Sequence, residues 1–73
     1  MGKNQHVVPN GDYWSVIGEG NDKYTATYDT QQKAIEKGRE IAINQKSELF
    51  IHNKEGKIRE RSSYGNDPYP PIG

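Results

Sequence analysis

Short runs of alternating apolar and polar residues predict three strands in the first part of the chain. In the first run, Gln5 to Pro9, two valines precede a proline, which is tolerated in edge strands or at strand ends. The dipeptide Asn10-Gly11 follows and favours a two-residue hairpin, because both residue types accept positive φ. We therefore expect the first two strands to form a hairpin.

The next two runs have the two-residue period of half-buried strands. From Tyr13 to Gly18, we expect Trp14 and Val16 to face the core. From Lys23 to Tyr28, the alternation predicts a third strand with a polar outer face and with Tyr24 on its apolar face.

A helix is predicted from Gln31 to Gln45 by a change to helical periodicity. Its small and apolar stripe consists of Ala34, Ile35, Gly38, Ile41, Ala42 and Gln45. Asp29 and Thr30 are alternative caps for its first turn. Gly38 predicts a close approach to the sheet, because glycine otherwise costs about 1 kcal/mol in a helix. Ile43 lies off the stripe and is expected to be exposed or to meet a partner.

The remaining pattern predicts a second hairpin and then a tail. Strands at 49–52 and 57–63 flank a turn in which Gly56 takes positive φ, with a glycine bulge. The order β-β-β-α-β-β predicts an α+β fold, with a single antiparallel sheet of about five strands and one helix packed on one face. Residues 1–64 form this domain, and residues 65–73 form an extended, proline-rich C-terminal tail.

Composition narrows the classes of function. The chain has 73 residues, which is too short for a second core, and its ten basic residues balance its ten acidic residues. A protein that binds nucleic acid over its whole surface is usually basic, so any such contact would be local. The absence of cysteine, of a membrane-spanning apolar run and of a signal-peptide pattern predicts a cytoplasmic protein with no membrane contact.

Candidate chemistry is sparse. His6 and His52 are the only histidines, neither has a second ligand at metal spacing, and we interpret them as ordinary surface or edge residues. No nucleophile-elbow motif occurs, and so small a domain scarcely builds an enclosed pocket. We predict no metal, no cofactor and no enzymatic activity.

Two segments are candidates for binding. A nucleic-acid face on the last hairpin would consist of Phe50, Lys54, Lys57, Arg59 and Arg61, with cations for phosphates and a ring for stacking. The alternative is a solvated strand face whose charges discourage edge pairing. An interaction tail would consist of Tyr64, Asp67, Pro68, Tyr69, Pro70 and Pro71. Alternatively, the tail folds back and covers the sheet.

Motifs at both ends of the chain suggest a relationship to other proteins. They are His6-Val7-Val8-Pro9, Trp14-x-Val16, Ile51-His52, Gly56-x-Ile58 and the ending Ser63-Tyr64-Gly65-Asn66-Asp67-Pro68 with Pro70-Pro71. Across nearly its whole length, the chain resembles a family of small bacterial proteins classed only as domain-of-unknown-function family 2188. The resemblance implies a stand-alone cytoplasmic protein without assigned activity. Gly38 departs from the family, which more often has alanine there.

These observations favour a non-enzymatic module that works by protein–protein contact, with an unknown protein or a second copy of the chain as its partner. Nucleic-acid binding by the last hairpin is the alternative. An edge strand, such as Gln5 to Pro9 or the last hairpin, is one surface with which a partner chain would pair.

Overall fold

The computed structural model describes residues 3–65, which form one sheet and one helix. The elements in chain order are β1 (Gln5–Asn10), β2 (Tyr13–Gly18), β3 (Ala26–Tyr28), α1 (Gln31–Gln45), β4 (Glu48–His52) and β5 (Ile58–Ser63). The predicted α+β class, the number of strands and the order of elements are confirmed, and the helix has the predicted bounds.

The sheet is mixed rather than wholly antiparallel. Its strand order is β3-β2-β1-β4-β5, and β1 runs parallel to β4 while the other neighbours are antiparallel. The reason is the crossover: α1 carries the chain over the sheet, so that β4 enters beside β1 in the same direction. β1 is therefore a central strand, not an edge. Pro9 is tolerated because the β1–β4 pairing extends only from Gln5 to Val7.

The first hairpin turns one residue later than expected. Asn10 pairs with Tyr13, so the two loop residues are Gly11 and Asp12. Gly11 has a φ of 64°, whereas Asp12 does not have positive φ. This combination, with glycine first, is that of a type II′ turn and needs positive φ at one position only.

The third strand is shorter than predicted. Only Ala26 to Tyr28 pair with β2, and Tyr24 lies outside the strand with its side chain exposed. The chain turns at Gly18, whose carbonyl accepts a hydrogen bond from the Asn21 backbone, and it rejoins β2 through the Thr25 backbone. The intervening residues therefore do not continue the ladder.

The core lies between α1 and one face of the sheet. Its buried residues are Val7, Val16, Ala34, Ala42, Leu49 and Ile51, with Trp14, Tyr28, Ile35, Ile41 and Tyr64 packed around them.

Thr30 is the helix cap, because its side chain accepts a hydrogen bond from the Lys33 backbone. Gly38 is buried against the sheet, and Ile43 is exposed, as predicted.

Candidate functional site on the helix-free face of the sheet

The face of the sheet opposite α1 is left uncovered by the described elements, and we call it the helix-free face. Because side chains alternate along strands, the residues between the core positions lie on this face. They include His6, Val8, Tyr13, Ser15, Ile17, Phe50, His52, Ile58 and Arg61.

The helix-free face is unusually apolar at its centre. A sheet face that meets water normally carries polar side chains. Here Val8, Ile17 and Phe50 are half-buried by their neighbours, while Tyr13 and Ile58 each remain 55% exposed. The centre of this face therefore leaves apolar side chains only half-covered.

An aromatic pair occupies the middle of this face. His6 on β1 lies beside Phe50 on β4 in the parallel register. Their ring centroids are 4.9 Å apart, and the rings are inclined by 21°, so they are stacked. Since β1 and β4 are adjacent central strands, the sheet itself holds this pair in place.

His6 and His52 belong to a hydrogen-bonded chain that sequence reasoning missed. His6 Nδ1 lies 2.9 Å from His52 Nε2, and His52 Nδ1 lies 3.0 Å from the Gly56 carbonyl oxygen. At the other end, His6 Nε2 lies 3.4 Å from Glu19 Oε1. A carbonyl oxygen only accepts, so His52 Nδ1 carries a proton and, in the neutral ring, Nε2 is an acceptor. His6 Nδ1 therefore donates to His52.

Both histidines, interpreted from the sequence as ordinary surface or edge residues, lie half-buried on the helix-free face and contact each other. They lie 46 positions apart, and no local spacing connects them. Only the pairing of β1 with β4, and the closeness of their ends, brings the two rings together. A sequence signal for the pair would require knowledge of that strand pairing.

Three hydrogen-bonded polar side chains lie on the helix-free face where β1, β2 and β3 are neighbours. Ser15 is completely buried, and its Oγ accepts a 3.0 Å hydrogen bond from Asn10 Nδ2. It also lies 2.7 Å from Thr27 Oγ1. The Ser15 hydroxyl is thus satisfied despite its burial.

The predicted nucleic-acid face is only partly assembled. Phe50 and Arg61 lie directly opposite each other, which places both on the helix-free face. A bulge at Ile51/His52 shifts the register of β5, so that Arg59 donates a 3.0 Å hydrogen bond to Gln31 Oε1 at the start of α1. The expectation that Arg59 and Arg61 share a face is therefore wrong.

The two lysines of that predicted face also lie apart from Arg61. Lys54 is in the β4–β5 turn and lines a recess with Pro9 and Trp14. Lys57 is exposed just before β5, and its backbone donates to Asn53 Oδ1. The structure brings Phe50 and Arg61 together but does not gather the four cations into one patch.

Of the predicted interaction tail, the structure describes Tyr64 alone. Tyr64 packs against the core, and its backbone donates a 3.1 Å hydrogen bond to the Ser47 carbonyl. Its ring is therefore a structural part of the domain. Asp67, Pro68, Tyr69, Pro70 and Pro71 lie outside the described residues.

The pKa shift of Asp29, a search for metal-ligand groups and the length of the helix add no further feature to the helix-free face. A hydrogen bond from Lys33, and then the charge of that lysine, lowers the pKa of Asp29, which lies away from the helix-free face. Between residues 3 and 65, no three or more His, Cys, Asp or Glu side chains are grouped to hold a metal ion. No helix in the same range has the length and apolar character needed to cross a membrane.

This geometry defines the chain as an α+β domain, with one helix on one face of the sheet and no described element on the other. The chain belongs to the family described as "Uncharacterized protein conserved in bacteria (DUF2188)", whose model matches residues 5–64. The predicted family resemblance is thus confirmed. The chain is 30% identical over 66 residues to the uncharacterized protein YdaT of Bacillus subtilis (strain 168). The match covers 90% of this chain and 44% of that relative, so the chain spans less than half of its length. No solved structure matches the chain.

Proposed function

We propose that this chain is a non-enzymatic protein-interaction module whose helix-free face binds a second copy of the chain. The observation that carries the proposal is the set of apolar side chains on that face: Val8, Ile17 and Phe50 at its centre and the exposed Ile58 on the edge strand β5. Protein interfaces combine an apolar centre with a polar rim, and charged residues are depleted at the centre.

The charges around this centre suit a partner of the same sequence. Arg61 lies on one side of the face, while Glu19 lies beside His6 near the other. The whole chain has no formal net charge, so two copies meet without overall repulsion. A surface with both signs on its rim can pair opposite charges across a two-fold axis.

The size of the face indicates a modest affinity. Strands of six, six, three, five and six residues, spaced by about 4.8 Å and rising about 3.3 Å per residue, give a projected area of about 410 Å². Stable interfaces bury about 800 Å² of accessible surface per partner. We therefore expect a dimer that dissociates on dilution rather than an obligate one.

Two exposed isoleucines provide a matched test. Ile58 lies on the helix-free face and is 55% exposed, whereas Ile43 lies on α1 and is 49% exposed. Sedimentation equilibrium over a range of concentrations should show a monomer–dimer equilibrium for the wild type. Ile58→Glu should weaken association by about tenfold or more, because it replaces an exposed apolar side chain of the proposed interface by a charge. Ile43→Glu should leave it unchanged. A wild type that stays monomeric, or equal effects of the two substitutions, would overturn the proposal.

The predicted interaction tail is tested by a chain that ends at Gly65. If the tail contributes to association, this truncation lowers the affinity while the circular dichroism spectrum stays unchanged. Unchanged association would remove residues 66–73 from the proposed interface and leave the helix-free face as its only component.

A second candidate function is the binding of single-stranded nucleic acid. The observation that favours it is the position of Arg61 opposite Phe50, which is itself stacked on His6. A ring on which bases stack beside a cation for phosphate is a common arrangement in such proteins. Titration with single-stranded DNA and RNA at low salt, followed by Trp14 fluorescence, should then show binding that Arg61→Glu weakens. Arg59→Glu is the matched control, since Arg59 lies on the helix side of the sheet. Absence of binding at low salt would eliminate this function.

A further inference from the structure

We propose that a groove between α1 and β5, which we call the α1–β5 groove, is the docking site of this chain's own proline-rich segment, residues 66–73. The groove lies on the face of the sheet that carries the helix. The inference therefore does not depend on association through the helix-free face.

The α1–β5 groove exists because the helix does not cover the whole sheet. α1 packs against β1, β2, β3 and β4, whereas β5 lies beyond β4 at the edge. The space left beside the helix has a volume of about 470 Å³, which is within the range of cavities that hold ligands. A domain with so small a core gains stability from any further apolar cover.

The groove combines apolar side chains with a mainly basic rim. Ile35 of α1 and Tyr64 line it, and both are half-buried. Arg39 of α1 and Arg59 of β5 are exposed at its rim, together with the acidic Glu60. An occupant with an aromatic or aliphatic body and one negative charge would suit this lining.

The described residues end at one end of this groove. Tyr64 lines the groove, and a Cβ atom at Gly65 would collide with the Lys46 carbonyl oxygen. Since Lys46 is the C-cap of α1, the chain leaves β5 on the helix side of the sheet. The next residues, Asn66-Asp67-Pro68, have the composition of a turn, and a turn would direct the segment back along β5.

The segment has a suitable length for this path. In the extended conformation that its prolines favour, Asp67 to Ile72 would span about 16 Å at about 3.1 Å per residue. Arg59 to Tyr64, on the opposite wall, span about 17 Å at about 3.3 Å per residue. Because proline restricts the undocked segment as well, docking costs less conformational entropy than for a flexible chain.

The direction of the groove places complementary groups together. Arg59 donates a hydrogen bond to Gln31 at the start of α1, whereas Tyr64 lies beside Ser47, just after α1. Arg39, two helical turns beyond Gln31, is therefore nearer to the Tyr64 end, where the segment enters.

The segment would present its one charged side chain, Asp67, at this entry, within reach of Arg39. Tyr69 would follow over Ile35, where its ring covers the apolar part of the groove. The partners thus follow the order of the sequence.

A buried hydroxyl group at the entry provides an independent argument. Ser47 is 5% exposed, and its Oγ has no hydrogen-bond partner among the described residues. The Ser47 carbonyl accepts a 3.1 Å hydrogen bond from the Tyr64 backbone, so this serine lies where the segment begins. Buried hydroxyl groups are normally hydrogen-bonded, and a polar group of Asn66 would supply the partner.

Nuclear magnetic resonance of the full chain tests the docking directly. Nuclear Overhauser effects should connect the Tyr69 ring with the Ile35 methyl groups, and the ¹⁵N order parameter of Tyr69 should be close to the value of about 0.85 found for rigid backbone. A Tyr69 order parameter below about 0.6 would overturn the proposal. So would Overhauser effects between labelled and unlabelled chains in a mixed sample, because they would assign the groove to the segment of a second copy.

Two tyrosines provide a matched pair of variants. Tyr69→Ser should lower Tm by about 4–8 °C and shift the amide signals of Ile35 and Arg39, because the groove loses its cover. Tyr24→Ser should change neither, since Tyr24 is exposed and lies outside β3. Unchanged Ile35 and Arg39 signals in the Tyr69 variant, or equal effects of the two substitutions, would contradict the docking.

Discussion

A Cβ atom added to Gly38 would lie 2.8 Å from Leu49 Cδ1, because α1 rests directly on β4 at this position. The same atom would lie 3.2 Å from Val7 Cγ2 on β1. Gly38 thus marks the point where the helix crosses the two central strands at closest approach. The side chains that fill the space above the glycine are aliphatic.

Substitutions at Gly38 should separate helix propensity from packing. Gly38→Ala gains about 1 kcal/mol in helix propensity but must displace the end of the Leu49 side chain, so we expect a net change within about 1 kcal/mol. Gly38→Val should lower the free energy of unfolding by about 2–3 kcal/mol through overpacking. Urea unfolding followed by Trp14 fluorescence measures both. A valine variant as stable as the wild type would contradict this account of the contact.

Thr30, not Asp29, should be the stabilising cap of α1. Thr30→Ala removes the acceptor of the Lys33 N–H and should cost about 1 kcal/mol, whereas Thr30→Ser should retain most of the stability. Asp29→Ala should cost less, because Asp29 makes only an exposed ion pair with Lys33. The reverse order of the two alanine variants in thermal melts would show that the cap is misassigned.

The carboxyl group of Asp29 should titrate below its usual pKa of 3.8. The hydrogen bond from Lys33 and the charge of that lysine both favour the ionised form. A lowered folded-state pKa means that the small stabilisation is present above the usual value and is lost as the pH falls through the lowered one.

Nuclear magnetic resonance titration of the Asp29 carboxyl carbon measures this pKa. Lys33→Met should return it towards 3.8, whereas Lys37→Met should not change it, since Lys37 pairs with Glu40. An Asp29 pKa that does not respond to Lys33→Met would refute the assigned cause.

The buried hydroxyl of Ser15 should be important for the stability of the helix-free face. Ser15→Ala leaves Asn10 Nδ2 and Thr27 Oγ1 without their shared partner and should cost about 1–2 kcal/mol. Thr27→Ala should cost less, because Thr27 is exposed and water can replace it. Chemical unfolding of the two variants compares them, and equal losses would argue against the central place of Ser15.

Local sequence patterns predicted the helix and the strands well, because the bounds of these elements depend on interactions between residues that are close in sequence. The bounds of α1 follow from its stripe and from Thr30, and Gly38 revealed the contact with the sheet. The parallel pairing of β1 with β4 was not predicted, because alternation along a strand gives its buried face but not its neighbour. The shortened β3 likewise depends on the hydrogen bonds of a loop, which composition does not specify.

The candidate site was harder to predict, because its residues come from several strands and alternation along a strand does not give the neighbour of that strand. Phe50 and Arg61 were correctly placed on one face, since the hairpin fixes their relation. Arg59 was misplaced because the bulge in β5 changes which side of the strand it occupies. The His6–His52 pair depends on a contact between distant strands, and each histidine alone carries no sign of it.

The central position of β1 also has consequences for the order of folding. β1 and β2 can pair as soon as their short turn forms, but Gln5 must wait for Leu49, more than 40 residues later, before its other edge is filled. On the ribosome, the early hairpin therefore presents an open strand edge until α1 and β4 have been synthesised. The β1–β4 pairing closes a long loop and should form late, so weakening it should accelerate unfolding more than it slows folding.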